Sequence, residues 1–340
     1  MIKFLLTPFL LITSTVLVSF DINYIPAFVF LYSLFIIFGD LLLPRDHEVY
    51  DDDNKQLFDF FVMLPLPLLL IYLFVSSNVF YDKYLLNELS YYSVIGNIIN
   101  LGLMLATAGT NAGHELIHRA KNSIQQKVGY WLLALNFDTA FVIEHLHGHH
   151  KFVGTYDDPA TARYNENTYS FIIRSTIGTL RNAWVYEKSR LIRKKRNIFS
   201  FHNQLVSGLV KGLLIVFIVY LIGKEIGLLM YLLSVIVAKI LLETVNYIEH
   251  YGLTREIGSP VLPKHSWNTN RWVSSNLLYN LSRHSAHHEK ANVPYWKLNP
   301  YKDAPEMPLG YLSMVYIAIL APPVFKKIME SRVIKWRESI

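Results

Sequence analysis

The sequence predicts an all-α membrane protein: six transmembrane helices in three hairpins, with a cytoplasmic helical cap that gathers a histidine-rich metal site. Three observations lead there. Of the 340 residues, 52% are hydrophobic and 17% charged, whereas a soluble domain carries about a quarter charged residues. Six stretches are apolar over roughly the 20 residues that a helix needs to cross a bilayer. The 13 histidines mostly collect in four short clusters outside those stretches.

The six stretches cover about 4–20, 24–43, 57–77, 90–110, 205–222 and 227–243. The first is read as a span rather than a cleaved signal, because no small-residue cleavage site follows and a second apolar run begins almost at once. Connectors near 21–23, 78–89 and 223–226 pair the spans into hairpins. Pro65 and Pro67 are expected to kink the third span. The polar remainder lies in two segments, about 111–204 and 244–309. The stretch 129–143 is apolar but too short to span, and is expected as a helix beneath the bundle. The same reading suits 309–325, which Pro322 and Pro323 close. Residues 1–340 are read as one integral-membrane domain.

Charge sets the orientation. The segment 111–204 carries Arg119, Lys121, Lys127, Lys151, Arg163, Arg174, Arg181, Lys188 and the run "RLIRKKR" at 190–196, while the opposite connectors offer Lys83 and Lys224. Basic residues favour the cytoplasmic side, so the polar segments and both termini are expected there, in a bacterial inner membrane. The net charge of +6 therefore reports orientation and contact with anionic lipid, not a nucleic-acid partner. With no cysteine in the sequence, disulfides, iron–sulfur clusters and thiolate metal sites are excluded. No phosphate-binding glycine loop or dinucleotide fingerprint is present.

The histidine clusters read "HELIH" at 114–118, "EHLHGHH" at 144–150, "NYIEHYG" at 246–252 and "SRHSAHH" at 282–288. On a helix, His114 and His118 share a face, as do His284, His287 and His288. His145 and His149 share another, with His150 beside them and His147 pointing the other way. The third cluster contributes His250. Imidazole suits iron, zinc, copper and nickel. Nine imidazoles are too many for one ion and about right for two. Glu115, Glu144, Asp158 and Glu249 stand close by and are expected to hold the far ring nitrogens of the ligands, fixing their tautomers; a direct carboxylate ligand stays open. His47, His202 and His265 stand alone and are read as surface or loop residues. A membrane metal transporter would place ionisable ligands near the bilayer midplane. Here the mid-span regions lack histidine, which favours an enzyme.

These boxes, HExxH, EHxxGHH, NYxEHYG and RHSxHH, resemble those of the integral-membrane alkane 1-monooxygenase family, within the wider membrane fatty acid desaturase and hydroxylase superfamily. "DDPATAR" at 157–163 and "HSWNTN" at 265–270 also look like that branch. The resemblance covers the chain to about residue 325. It implies a six-helix membrane fold in which His114, His118, His145, His149, His150, His250, His284, His287 and His288 hold two non-heme irons, with no catalytic residue beyond that diiron centre. It implies O2-dependent hydroxylation of the terminal carbon of a medium-chain n-alkane. A related membrane hydroxylase or desaturase acting on an alkyl-aromatic methyl group or a fatty acyl chain is the alternative. The electron donor that the family implies is a rubredoxin, reduced in turn by a rubredoxin reductase. A chain without cysteine cannot hold that centre itself, so the donor is expected as a separate soluble protein. Ser282 stands where the family commonly has glutamine, and Ala286 where it has aspartate, which bears on a hydrogen bond around the ligands.

Overall fold

The fold is given by a computed structural model that describes residues 1–339. It is all-helical: among these residues no β-strand occurs, and one isolated bridge joins Asn268 to Glu306. In chain order the helices are α1 (Leu6–Phe20), α2 (Ile25–Leu42), α3 (Lys55–Met63), α4 (Pro65–Leu85), α5 (Tyr91–Met104), α6 (Asn111–Ile117), α7 (Ile124–Leu135) and α8 (Thr139–Glu144). Then come α9 (His150–Phe152), α10 (Thr168–Arg193), α11 (Gln204–His250), α12 (Trp272–Leu277), α13 (His284–Glu289), α14 (Tyr311–Leu320) and α15 (Pro322–Glu338). The chain gathers into two compact units. One comprises Met1–Phe35, Asn54–Val142 and Arg190–Ile240; the other comprises Ile36–Asp53, Ile143–Ser189 and the chain from Leu241 onward.

Among the described residues, five helical stretches are long and apolar enough to cross a membrane: Ile2–Phe20, Ile22–Leu42, Asp52–Leu85, Tyr91–Ile117 and Gln204–His250. The first four coincide with the first four expected spans. The third runs on to Leu85 rather than stopping near 77, since Tyr81, Asp82 and Lys83 continue its last turns. The fifth and sixth expected spans both fall within α11. That helix is broken at Lys224, whose φ of 47° and ψ of −145° are non-helical. The break lies in the expected connector.

In the first unit a helix boundary falls at the first proline of the expected kink. Helix α3 ends at Met63 and α4 begins at Pro65, where the missing N–H costs nothing in a first turn. The Leu64 amide still donates to the Phe60 carbonyl at 2.9 Å, so the hydrogen-bond ladder carries across the boundary. Buried polar side chains set the register of the spans. Tyr72 donates to Asn97 at 2.8 Å, and the Asn100 amide donates to Tyr72 at 2.7 Å and to Ser14 at 3.1 Å. Each such bond in a membrane contributes only about 0.6 kcal/mol, so the network specifies the packing more than it stabilises it.

Helices α6 and α7 pack through glycine. A Cβ on Gly113 would lie 3.3 Å from the Gly129 carbonyl, and one on Gly129 would lie 3.0 Å from that of Gly113. Their backbones approach closely, and this fixes the helix that carries the first histidine cluster. The single helix expected over 129–143 is instead two, α7 and α8. The chain turns between them at Phe137, which adopts a positive φ of 55°. Tertiary partners hold that turn: Asn136 donates to the Leu105 carbonyl at 2.9 Å and to Thr110 at 2.7 Å, and Asp138 pairs with Lys239 at 3.0 Å.

The second unit is tied by buried charges. Asp40, at the end of α2, accepts from the Ser274 amide at 2.9 Å and the Ser274 hydroxyl at 2.5 Å. Arg283 is 1% exposed. Its guanidinium donates to the carbonyls of Glu48 and Leu298, both at 2.8 Å, and of Asp46 at 3.1 Å. The last histidine cluster is thereby locked to the loop after α2. The helix expected at 309–325 stops at Leu320, and Pro322 opens α15 as its first residue.

Candidate metal centre

In the first unit, "HELIH" occupies the end of α6. A π-helical segment, Leu105–Thr110, leads into it, and such segments recur at functional sites. His114 is buried, and its ring meets that of His118 edge-on, with centroids 5.3 Å apart. Phe141 packs against His114 with centroids 5.9 Å apart. Glu115 forms an ion pair with Arg119 at 2.7 Å, and Arg119 also lies 3.6 Å from Asp59.

In the second unit, "EHLHGHH" passes through a second π-helical segment, His145–His149. Hydrogen bonding from i to i+5 widens the turn, so residues five apart come to lie together. His145 and His150 bring their Nε2 atoms to 3.0 Å. The rings of His145 and His149 stack with centroids 5.2 Å apart, yet Nε2 of His149 turns to another partner, Nε2 of His288 at 3.1 Å. The π-turn thus divides one cluster between two ligand groups.

Helix α13 is divided the same way. His284 and His288, four apart, place Nε2 atoms 2.9 Å from each other. Nε2 of His250, at the end of α11, is 3.1 Å from that of His284. His149, His250, His284 and His288 are all buried, and their ligand atoms all lie within 4.8 Å of one another. His287 joins the other group: it, His145 and His150 also offer ligand atoms within 4.8 Å of one another.

The donor set fits a transition-metal ion. Imidazole nitrogens at right angles around one ion, with bonds of about 2.1 Å, would sit about 3.0 Å apart, close to the separations seen. Burial, then the neighbouring imidazoles, hold His288 well below the usual histidine range, so it is neutral and able to ligate. A site of nitrogen donors without thiolate suits iron, zinc, copper or nickel.

Carboxylates complete the group of four. Asp158 places Oδ2 2.9 Å from Nδ1 of His149 and accepts from Thr161 at 2.7 Å and from the Ala160 amide at 2.9 Å. Burial alone would lower the pKa of His149 and raise that of Asp158. Their mutual attraction and hydrogen bond outweigh it, so His149 titrates above its usual value and Asp158 below. An ionised Asp158 can only accept, so Nδ1 of His149 carries the proton and, in the neutral ring, Nε2 is left with its lone pair. Glu249 lies 3.2 Å from Nε2 of His284, the ligand atom itself rather than the far nitrogen. Glu144 is buried beside them, and burial followed by repulsion from Asp158 pushes its carboxyl up to about 7. Its carboxylate fills the space where a Cβ on Gly148 would stand.

The remaining histidines differ. His147 is exposed and stacks on Tyr186, with centroids 4.2 Å apart and planes 11° from parallel. His47 and His202 are exposed. His265, read from the sequence as a surface or loop residue, is buried, and its Nδ1 accepts from the Leu262 amide at 3.0 Å. Burial, then Lys264 and Arg255, lower its pKa to about 4, which suits a structural acceptor. Thr161 on Asp158, and Asn268, which accepts from the Ser285 amide at 2.8 Å, were not legible as site residues. Both lie in the flanking stretches "DDPATAR" and "HSWNTN", the one signal that could have found them. Ser282 is buried with its hydroxyl 3.0 Å from that of Ser275.

Comparison with known proteins bears on this arrangement. The sequence profile of the fatty acid desaturase family matches residues 92–318. The chain is 34% identical over 327 residues to alkane 1-monooxygenase 1 of Pseudomonas aeruginosa, a match that covers 91% of this chain and 84% of that protein. It is 35% identical over 266 residues to alkane 1-monooxygenase 2 of Alcanivorax borkumensis, covering 77% and 68%. It is also 29% identical over 297 residues to the xylene/toluene monooxygenase hydroxylase component of Pseudomonas putida, covering 84% and 78%. An all-helical chain with five membrane-length apolar stretches, imidazole groups able to hold metal and matches of this extent belongs to the alkane 1-monooxygenases of the fatty acid desaturase family.

Proposed function

We propose that this protein is a membrane monooxygenase that hydroxylates the terminal carbon of medium-chain n-alkanes. One atom of O2 enters the C–H bond and the other leaves as water, with two electrons and two protons supplied from outside. The near full-length match to an alkane 1-monooxygenase carries this reading. The match to a xylene/toluene monooxygenase component favours, as a second substrate class, the methyl group of an alkyl-aromatic.

Two non-heme irons, held by the nine histidines of the four boxes, would supply O2 activation. His149, His250, His284 and His288 are assigned to one ion. His145, His150 and His287 are assigned to the other, with His114 and His118 added from the sequence boxes. The remaining work falls to the chain. Asp158 keeps Nδ1 of His149 protonated and the ring fixed. Glu249, 3.2 Å from Nε2 of His284, is proposed as a carboxylate ligand or a proton holder. Apolar helices with exposed residues such as Phe30, Leu31 and Phe35 let a greasy substrate arrive from the bilayer, the phase into which it partitions.

Six spans are proposed, with both termini and the metal site on the cytoplasmic face of the inner membrane and the whole chain acting as one domain. In support of the sixth span, a Cβ on Gly208 would touch the Thr139 side chain, while Lys239 reaches Asp138. A straight helix would hold Gly208 and Lys239 about 45 Å apart, so α11 doubles back at Lys224. The electron donor is proposed to be rubredoxin with its reductase, as the lack of cysteine and of a dinucleotide fingerprint supports. The run of Arg190, Arg193, Lys194, Lys195 and Arg196 is its proposed docking surface.

Feeding expressing cells a mixture of n-alkanes, xylenes and fatty acids, and identifying the oxidised products, tests the reading. Terminal 1-alkanols should dominate. Products from fatty acids alone would overturn it.

A further inference from the structure

We propose that a cavity of about 110 Å³ in the first unit, lined by Tyr130, Thr139, Gln204, Ser207 and Lys211, binds the headgroup phosphate of an anionic phospholipid. On α11, residues 204, 207, 208 and 211 follow the i, i+3, i+4, i+7 spacing of a single helix face. Gly208 carries no side chain, so Thr139 closes against the helix between Gln204 and Lys211. The side chains of Thr139, Ser207 and Lys211 therefore line one small space, and together they offer two hydroxyls and an ammonium. That is a donor set for a phosphate.

The state of Lys211 argues for a missing anion. Its ammonium lies 5.7 Å from the Tyr130 ring centroid and 5.6 Å from that of Trp131, and it is half-buried. Ring faces attract a cation but do not neutralise it. Among the described residues no carboxylate lies within ion-pair distance of it. An ordinary lysine near a span end extends along apolar surface into water. This one instead folds over two aromatic rings at the edge of a cavity.

Depth selects a lipid over a free anion. Lys211 lies seven residues into α11, about 10 Å from its start, and helical side chains lean towards the N-terminus. The ammonium is therefore carried back towards the level of Ser207, near the membrane surface where lipid phosphates lie. One turn deeper, Leu214 is exposed and offers an apolar track for the acyl chain.

The test uses the full chain purified in a neutral detergent. Binding of phosphatidylglycerol, phosphatidylcholine and inorganic phosphate is measured by native mass spectrometry and by the shift in unfolding temperature. Phosphatidylglycerol should bind and stabilise the wild type, phosphatidylcholine less, and inorganic phosphate not at all. Lys211→Met should weaken phosphatidylglycerol binding roughly tenfold, as loss of one charge-assisted contact implies, and Lys211→Arg should restore it. Ser207→Leu fills the cavity while keeping the lysine, and should also lose the lipid; it decides the matter should Lys211→Met fail to fold. Equal binding by wild type and both cavity variants, equal binding of phosphatidylcholine, or a shift reproduced by inorganic phosphate would each overturn the proposal. Because lipid binding is read directly, the outcome is independent of which hydrocarbon the protein oxidises.

Discussion

Asp158 and His149 stand 2.9 Å apart, Oδ2 to Nδ1, with both side chains fully buried. Nine residues separate them, from a π-turn to the loop after α9. The carboxylate is held in turn by Thr161 and the Ala160 amide, so it is a fixed acceptor that dictates which nitrogen of His149 carries the proton.

Asp158→Asn should therefore weaken the metal site without emptying it. The amide presents a donor as readily as an acceptor, and the tautomer of His149 is no longer imposed. Loss of such a partner lowers metal affinity about 10–100-fold. Iron retained per chain after dialysis against graded chelator measures this; unchanged retention would remove Asp158 from the site.

Alanine at a ligand should act more severely. His284→Ala removes a nitrogen that approaches both His250 and His288, and iron content and alkanol formation should both collapse. His147→Ala should keep most of each, because that ring is exposed and packs on Tyr186. Elemental analysis of the purified variants compares them. Equal loss of iron in both would contradict the placing of His147 outside the ligand groups.

Gly148→Ala tests the π-turn. The added methyl would enter the space of the Glu144 carboxylate, in a segment whose width decides where His145, His149 and His150 point. Overpacking of this kind costs about 1–3 kcal/mol. A lower unfolding temperature together with reduced iron is expected. A drop in stability with full iron content would show that the turn tolerates the shift.

Asn136→Ala tests the approach to the first box. Asn136 supplies donors to the Leu105 carbonyl and to Thr110 at the two ends of the π-segment before His114. Unsatisfied buried groups cost about 1–3 kcal/mol each, so unfolding in mild detergent should occur earlier. Wild-type stability in this variant would mean that the segment holds itself.

Electron supply is tested by reconstitution. Purified, iron-loaded protein with alkane, O2 and NADH should be silent alone and active once rubredoxin and its reductase are added. If the basic run around 190–196 docks the donor, turnover should fall as salt screens the attraction. Sustained turnover with NADH and no carrier would sink the rubredoxin assignment.

What the sequence by itself determined was composition and periodicity. Length and apolarity marked four spans closely and set the break of the last long helix at the connector containing Lys224, because crossing a bilayer imposes a length that can be counted. The four boxes named the histidines, since few other residue types can hold such metals. Helical spacing also separated His147, which is exposed, from His149, which is buried. What only the tertiary structure decided was how donors are shared. A regular helix gives no reason for His145 to meet His150 while His149 turns to His288; the extra residue of a π-turn does, and no spacing rule reveals where that turn will fall. The break at Asn136–Asp138 was equally hidden, because its partners Leu105, Thr110 and Lys239 are distant in sequence. His265 read as a lone loop histidine until burial made it a structural acceptor. In each case the deciding energy comes from satisfying polar groups away from water, and which groups meet is settled only when the chain has packed.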